Sequence, residues 1–535
     1  MKTWPINTQR FSGIAECLYE NYEKVKGLYP YDGLDPEAAD RRIPWLDTHP
    51  GAEREAVAAA LEALNRRLGA GEETMAQVEA LRDPRSLVVV TGQQTGLFTG
   101  PLYTLYKAAT VLKRARALSA RTGRPVVPVF WMATEDHDYA EIAMNWHFDG
   151  ARVKPVRLGR AHKGNRPVGQ LPTSQALQTL TEDLAGTLEG TPFGGETARL
   201  LQETLKASET LGDWFGRLLL TLFAPWGLVV LDPAQPSLRR VMQPFFETAL
   251  REAMLLRQAF DAGTEALETL GFEAEVTLAP GQTGLFLIEE GQRLPLYQAP
   301  EAESFIDRDG ERHWTLAALK ERLTLEPEAF STGVVLRPVL QDWLLPVAEA
   351  VLGPSEAAYH GQLKCVFEAL GRQLPVIIPR ESWVLAPGQV TLDPGLITGD
   401  PEAWVSDRLM DDAAPTLRSR LAEQRERQAL ALRETLGELP LGEGSRQALA
   451  ERLEQLQTLE YRTLLRNIRR ALLAETPENR KWQRLARMIR PGGKVQERRL
   501  LPWYFYSCFG PELLRILVES DFSTALRGCG GRDTQ

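Results

Sequence analysis

Cysteine is scarce in this 535-residue chain: Cys17, Cys365, Cys508 and Cys529 lie far apart, with no CxxC pair. That excludes a disulfide framework and a zinc ribbon, and it suits a reducing cytoplasm. The six histidines nowhere reach a spacing that supplies three zinc ligands, so zinc is not expected. A basic excess is missing too: Lys+Arg total 62 against Asp+Glu 71, a net charge of −9. A general nucleic-acid binder needs the opposite balance to neutralise phosphate. Long apolar runs are absent. The longest, Leu218–Leu231, has 14 residues and is interrupted by Thr221, Pro225 and Gly227, whereas a membrane span needs about 20. The start, MKTWPINTQRF, has no apolar stretch behind its lysine and is no signal peptide. A soluble cytoplasmic protein without nucleic-acid or membrane partners is expected.

What is present is an ordinary globular composition, 43% hydrophobic and 25% charged, in a chain long enough for two to four structural units at roughly 100–200 residues each. SLVVV (86–90) reads as a strand buried on both faces of a parallel sheet. Helical spacing follows over Pro101–Ser119, with Pro101 in the first turn, and PVVPVFWMA (125–133) resumes as strand. This is a βαβ unit. Similar strand text returns at GLVVLD (227–232) and PVIIP (375–379), after helical stretches Ala207–Phe223 and Pro354–Gly371. The fold class expected is α/β, one doubly wound, Rossmann-like parallel sheet. Its parts are a first core half (1–154), a first insert (155–205), a core strand and helix (206–238), a second insert (239–324) and a second core half (325–400). The second insert carries a hairpin over 283–298 turning at Glu290–Gly291. From 401 to 490 leucines recur at helical spacing, on two stretches broken by Gly437–Gly444. That pattern predicts an antiparallel, coiled-coil-like helical hairpin suited to dimerisation. The final segment, 491–535, is apolar enough around LLPWYFYSCFG (500–510) to return to the core.

Three constellations could carry chemistry. The first is Thr91-Gly-Gln-Gln-Thr-Gly-Leu-Phe-Thr-Gly-Pro-Leu-Tyr103. Gly92, Gly96 and Gly100 fit neither GxGxxG nor GxxxxGK[ST], but a glycine-rich loop before a helix can hold an anion on free N–H groups. Gln93, Gln94, Thr99 and Tyr103 add hydrogen-bonding capacity, and Lys107 a charge. The second is Glu135-Asp136-His137-Asp138 at the end of the second strand. Carboxylates there suit Mg²⁺ or an amine, with Glu135, Asp136 and Asp138 as the candidate Mg²⁺ ligands, and His137 suits acid–base work. The third holds Arg337, Gln341 and Asp342, then Glu356 and Tyr359 on one helical face with His360, then Arg380 at a strand end. Asp232 ends the GLVVLDP strand and either lines the crevice or caps a turn. Cys365 reads as an inert core thiol, and His49 and His313 as surface residues.

VVVTGQQTGLFTGPLYTLYKA (88–108), PVFWMATEDHDYAEI (128–142), the GLVVLDP strand and VLRPVLQDWLLP…GPSEAAYHGQL (335–363) together resemble the bacillithiol biosynthesis cysteine-adding enzymes, over nearly the whole chain. The resemblance implies a core related to class I aminoacyl-tRNA synthetases, two connecting inserts and a coiled-coil dimerisation domain. It implies a ligase joining L-cysteine, through an amide, to the glucosamine amine of glucosaminyl malate. A carboxylate needs activation to acylate an amine, so ATP or another nucleotide with Mg²⁺ is expected. On this reading His137, Asp136 and Asp138 are catalytic, with His137 deprotonating the attacking amine. Glu135 joins the acids around Mg²⁺ or the cysteine ammonium, and Arg337 and Arg380 suit the malyl carboxylates. Two other functions fit the residues alone: a metal-dependent nucleotidyl or phosphoryl transferase using residues 135–138, and a non-catalytic dimeric scaffold.

Overall fold

The structure, a computed structural model, describes residues 2–5, 13–159, 164–299, 303–386, 404–405, 416–475 and 477–520. His162, Cys529, the boundary placed near residue 400 and the tail from 521 lie outside them. Two compact units emerge: a larger one of Trp4–Asp149, Lys154–Trp383 and Glu497–Gln535, and a smaller one of Met1–Thr3, Gly150–Val153 and Val384–Gln496.

The larger unit is built on a parallel sheet. β1 (Leu87–Gln94) and β2 (Val126–Ala133) pair in register from Leu87↔Val126 to Gln94↔Ala133. Helix α1 (Tyr103–Thr122) connects them, and the short helix α2 (Tyr139–Ile142) follows β2. β3 (Val229–Leu231) pairs with β2. The chain then leaves to build an antiparallel sheet from β4 (Gln282–Glu289), β5 (Gln292–Gln298), β6 (Ser304–Ile306), β7 (His313–Thr315) and β8 (Phe330–Thr332), in the order β7-β6-β5-β4-β8. The hairpin between β4 and β5 turns where the sequence places it. Glu290 and Gly291 both take left-handed φ, 50° and 73°, which matches the twist of a two-residue hairpin. Helix α3 (Arg337–Leu344) leads back to β9 (Val347–Leu352), α4 (Pro354–His360) and β10 (Val376–Pro379).

The parallel order is β10-β9-β1-β2-β3. Counted along the chain this is fifth, fourth, first, second, third, a Rossmann-like arrangement whose order reverses between β1 and β9. These strands are buried except at the carboxyl ends of β1 and β2, where Gly92 to Gln94 and Ala133 are half-buried, and a core of Val, Leu, Ile and Phe spans both sheets. The strand β9 is absent from the sequence expectation. Its text, VAEAVL, carries an acid mid-strand and reads as helix. The exception has a cause: Glu349 is fully buried but meets the Arg114 guanidinium of α1 in two bonds of 2.8 and 2.5 Å. The helix expected over Pro354–Gly371 is likewise two, α4 and Lys364–Ala369.

Ahead of the C-terminal helix Pro511–Glu519, Trp503 is buried and its indole N–H donates to the Phe98 carbonyl at 2.9 Å. In the smaller unit, α5 (Leu417–Glu438) and α6 (Glu443–Glu475) form a helical hairpin. Arg433 pairs with Glu454 at 3.2 Å and Arg425 covers the Tyr461 ring at 5.2 Å, so residues drawing apart along the chain face each other, as antiparallel helices require. No helix among the described residues is long and apolar enough to cross a membrane.

Candidate active site

A cavity of about 690 Å³ opens at the carboxyl ends of β1, β2, β9 and β10. That is the crevice where the strand order reverses, the usual ligand position in open α/β sheets. β1 contributes Gly92, Gln93 and Gln94. The β2 end contributes Trp131, Glu135, Asp136 and His137, with Glu141 from α2. Gly353 to Glu356 and Tyr359 come from β9–α4, and Arg380 follows β10. The inserted sheet closes one side with Phe286, Arg293, Thr332 and Gly333, and Tyr103 and Lys107 of α1, Arg337 and Arg498 also line the cavity.

On one wall Gln94 stands between two carboxylates: its amide Nε2 lies 2.6 Å from Asp136 Oδ2 and 2.8 Å from Glu141 Oε2. Asp136 Oδ1 also accepts the backbone N–H of His137 (2.7 Å) and Asp138 (3.1 Å). Burial alone would raise the Asp136 pKa, but the Gln94 amide, the Asp138 N–H and the Arg293 charge hold it below the ordinary value, so the group is ionised at neutral pH. Glu141 is shifted the other way, upward, by partial burial and by the neighbouring acids. His137 meets Arg293 across 3.0 Å between Nδ1 and Nη1, and burial and that guanidinium push its pKa down. Glu135 is buried against Arg239 of the helix Pro236–Arg251 in a close ion pair.

On the other wall Lys107, only 2% exposed, spends its N–H groups inside the protein. They reach the Gly92 carbonyl at 2.7 Å, Gln93 Oε1 at 2.9 Å and Glu356 at 2.5 Å. Burial depresses its pKa and the Glu356 charge opposes this. Gln93 turns its own amide to Tyr103 Oη at 3.1 Å, and burial carries the Tyr103 pKa up to about 12. Arg337 donates to Tyr359 Oη at 2.6 Å. Arg380 forms a fork-to-fork pair with Glu497, 2.7 and 2.9 Å, in the C-terminal segment.

Several sequence-selected residues lie elsewhere. Asp138 caps α2, accepting the Glu141 N–H at 3.1 Å, and does not line the cavity. Asp232 caps the turn after β3: its carboxylate accepts from Ala234 N–H (2.9 Å), the Gln235 amide (3.0 Å) and Thr134. Asp342 is buried between Arg42 (2.5 Å) and Arg372 (2.9 Å), not beside Arg337, and Gln341 is buried within α3. The anion cradle at the start of α1 is not there either. The Leu102 N–H goes to the Leu500 carbonyl at 2.9 Å. Phe98 and Thr99 turn inward at φ 56° and 69°, with the Phe98 ring edge-on to Trp214 at 5.0 Å. Gly96 and Gly100 serve this packing, since a Cβ on Gly96 would lie 3.0 Å from the Gly100 Cα. The three acids proposed for Mg²⁺ do not converge: Glu135 is tied to Arg239, Asp138 caps a helix, and no group of three potential metal ligands exists among the described residues. The residues present therefore do not fit that ion. Arg293, Phe286, Glu141 and Arg498 were not selected from sequence. Only Glu141 had a local signal, being one turn of helix beyond the acidic cluster.

The profile described as Bacillithiol biosynthesis BshC, N-terminal Rossmann-like domain, matches residues 1–381. A protein of Symbiobacterium thermophilum named "Putative cysteine ligase BshC" is 33% identical, covering 95% of both chains. Proteins of the same name from Anoxybacillus flavithermus (32% identical, 94% of this chain and 95% of that one) and Salinibacter ruber (32%, 96% and 95%) are similar along the same length. With its Rossmann-like sheet, its cavity at the strand reversal and these matches along almost its whole length, the chain belongs to the BshC family of bacillithiol biosynthesis.

Proposed function

We propose that this chain is a cysteine ligase that joins L-cysteine, through an amide bond, to the glucosamine amine of glucosaminyl malate, the last step of bacillithiol biosynthesis. The observation that carries the reading is the polarity of the cavity in a chain of this family. The end of β2 offers the ionised Asp136 beside Glu141, and elsewhere in the lining stand Arg337 and Arg498. Substrates that bear both ammonium and carboxylate groups match that division. Arg380 is held by Glu497 and is a poorer partner for a malyl carboxylate than Arg337 and Arg498.

A free carboxylate does not acylate an amine in neutral water, so cysteine is activated first, by ATP or a related nucleotide. The amine then attacks the carbonyl carbon, the C–N bond forms, and the bond to the phosphate oxygen breaks as the nucleotide leaves. The Asp136–Glu141 pair orients the ammonium and takes the proton it sheds. Charge-assisted contacts from Arg337 and Arg498 hold the malyl group. The related core of class I aminoacyl-tRNA synthetases is part of this proposal, supported by the strand order. The nucleotidyl or phosphoryl transferase alternative is weaker, because the acids it needs are already partnered.

We also propose that the α5–α6 hairpin is a coiled coil that joins two copies of the chain. Leu430, Leu456, Leu459 and Leu464 support this, exposed on that hairpin by 61%, 46%, 58% and 44%. The decisive assay is mass spectrometry of purified protein with Mg-ATP, cysteine and glucosaminyl malate. The cysteinyl amide with AMP is expected; ADP in its place would mean an acyl phosphate, and no amide with any nucleotide would overturn the ligase reading. Light scattering of the wild type and of Leu456→Glu/Leu459→Glu tests the dimer, which the variant should lose.

A further inference from the structure

We infer that Arg293 is a positioning residue that locks His137 in its Nε2–H tautomer, so that His137 serves as a hydrogen-bond donor to the reacting acyl oxygen and not as the base for the amine. The catalytic half of this inference rests on the ligase reading; the tautomer does not.

An arginine carries five N–H donors and no acceptor. With Arg293 Nη1 at 3.0 Å from His137 Nδ1, Nδ1 must present its lone pair, and the ring proton sits on Nε2. The guanidinium cannot turn away to relieve this. Its Nε donates to Ser331 Oγ at 2.9 Å and its Nη2 to the Thr332 carbonyl at 2.8 Å. Its Cζ lies 3.8 Å from the centre of the Phe286 ring, and the residue is 5% exposed. These partners sit on β8 and β4, while Arg293 itself is on β5, so three strands of the inserted sheet hold one fork. The main chain of His137 is anchored separately, its backbone N–H donating to Asp136 Oδ1 at 2.7 Å.

The charged groups around the ring are Arg293 from the inserted sheet, Asp136 and Asp138 on its own loop, and Glu135, which Arg239 neutralises. A second proton on Nδ1 would point N–H at N–H, cation toward cation. A base working through Nε2 would have to create that arrangement at every turnover. A donor working through Nε2 would not. As the amine attacks, the carbonyl π electrons move onto oxygen, and the Nε2–H is placed to stabilise that charge. The oxygen returns its electrons as the C–O–P link breaks, and the amine proton passes to the Asp136–Glu141 carboxylates.

The test is ¹⁵N NMR of the full-length protein labelled at histidine, at pH 7, with the His137 signals assigned by their loss in His137→Gln. An unprotonated Nδ1 and a protonated Nε2 are expected, retained in Arg293→Lys, which keeps a donor, and lost to a mixture in Arg293→Met. Turnover supplies the second arm. In His137→Gln the side-chain amide can donate from the Nε2 position, so kcat is expected within about 10-fold of wild type, whereas His137→Ala should lose about 10²–10³-fold. A proton on Nδ1 in the wild type, an unchanged tautomer in Arg293→Met, or His137→Gln as inactive as His137→Ala would each overturn the inference. Should Arg293→Met not fold, the wild-type and Arg293→Lys spectra still decide. Absence of any amide product from the wild type would instead defeat the ligase reading and leave the tautomer result standing.

Discussion

Replacing Asp342 by asparagine should cost stability and leave the chemistry of the folded enzyme alone. The carboxylate is 1% exposed and lies between two guanidiniums, 2.5 Å from Arg42 and 2.9 Å from Arg372. The asparagine amide would keep the shape and one acceptor oxygen but remove the negative charge that balances two buried cations there. At ~4 Å and an effective dielectric near 20 a unit pair is worth about 4 kcal/mol, and breaking one side of a buried pair costs about 3–5 kcal/mol. Neither arginine can swing out to water. Arg42 also donates to the carbonyls of Val347, Gln373 and Leu374, and Arg372 to those of Asp342 and His49. At about 2 °C per kcal/mol, the low end for a large unit, the melting midpoint should fall about 6–10 °C. Arg42→Met should fall further, since it orphans three carbonyls as well. Measured at 25 °C on the folded fraction, kcat/KM of Asp342→Asn should stay within about 3-fold of wild type. A midpoint shift below about 2 °C with a roughly 10-fold loss of kcat/KM would refute this reasoning and return Asp342 to the site.

Asp136 and Asp138, two residues apart, should separate cleanly. Asp138→Ala removes a helix cap worth about 1 kcal/mol, visible in melting and not in turnover, while Asp136→Asn strips the acceptor of the Gln94 amide and should lower kcat/KM by about 10²-fold. Glu356→Gln leaves Lys107 buried without its counter-charge. Steady-state kinetics and thermal melts should show a fall in both stability and kcat/KM, because Lys107 fixes the Gly92 carbonyl and Gln93. His147 and His360 are buried, and burial lowers each pKa to about 4. Above the ordinary value near 6.5 both are neutral folded or unfolded; between about 6.5 and 4 the unfolded chain takes up protons that the folded chain refuses. Stability should therefore be complete above pH 6.5 and decline by about 3 kcal/mol per histidine as pH falls toward 4. Urea midpoints at pH 7.5, 6 and 4.5 would show it, and His147→Asn should flatten the slope; an unchanged slope would count against it.

Four of the five parallel strands are legible because each is a short run of β-branched residues bounded by glycine, proline or charge, and β9 escapes because a partnered glutamate interrupts it. The carboxyl-end residues Gly92 to Gln94 and Glu135 to His137 are legible for a topological reason, since a parallel sheet delivers its strand ends to one edge. What a sequence cannot separate is an acid that faces a ligand from one that caps a turn or buries against arginine. Asp138, Asp232 and Asp342 have the right type and the wrong neighbours. Arg293 is hidden for a different reason: it is 156 residues from His137, on a strand of another sheet, and only the fold brings them together.

The elements around the cavity do more than enclose it; they decide which of its charges are free to act. Glu135 is claimed by Arg239, Glu356 by Lys107 and Arg380 by Glu497. Each of these pairs has both members in the frame of the protein, so none is left to change partner cheaply when a substrate enters. Among the described residues, the pair Asp136 and Glu141 has the neutral Gln94 amide between its members, and Arg337 has the Tyr359 hydroxyl. Burial pushes that phenol's pKa upward, so it stays neutral. Carboxylates thus stand on the wall beside β2, where the Arg293 charge also reaches Asp136, and on the other wall the Arg337 guanidinium of α3 meets a hydroxyl and not a carboxylate. A ligand bearing an ammonium and a carboxylate is drawn in one orientation by both walls at once, and the reverse orientation sets like charge against like. His137 sits on the negative wall, at the ammonium end, and Arg293 removes its lone pair from the cavity. The charged acceptors left at that end are the carboxylates of Asp136 and Glu141, and under the proposed ligase reading they hold the nitrogen that reacts.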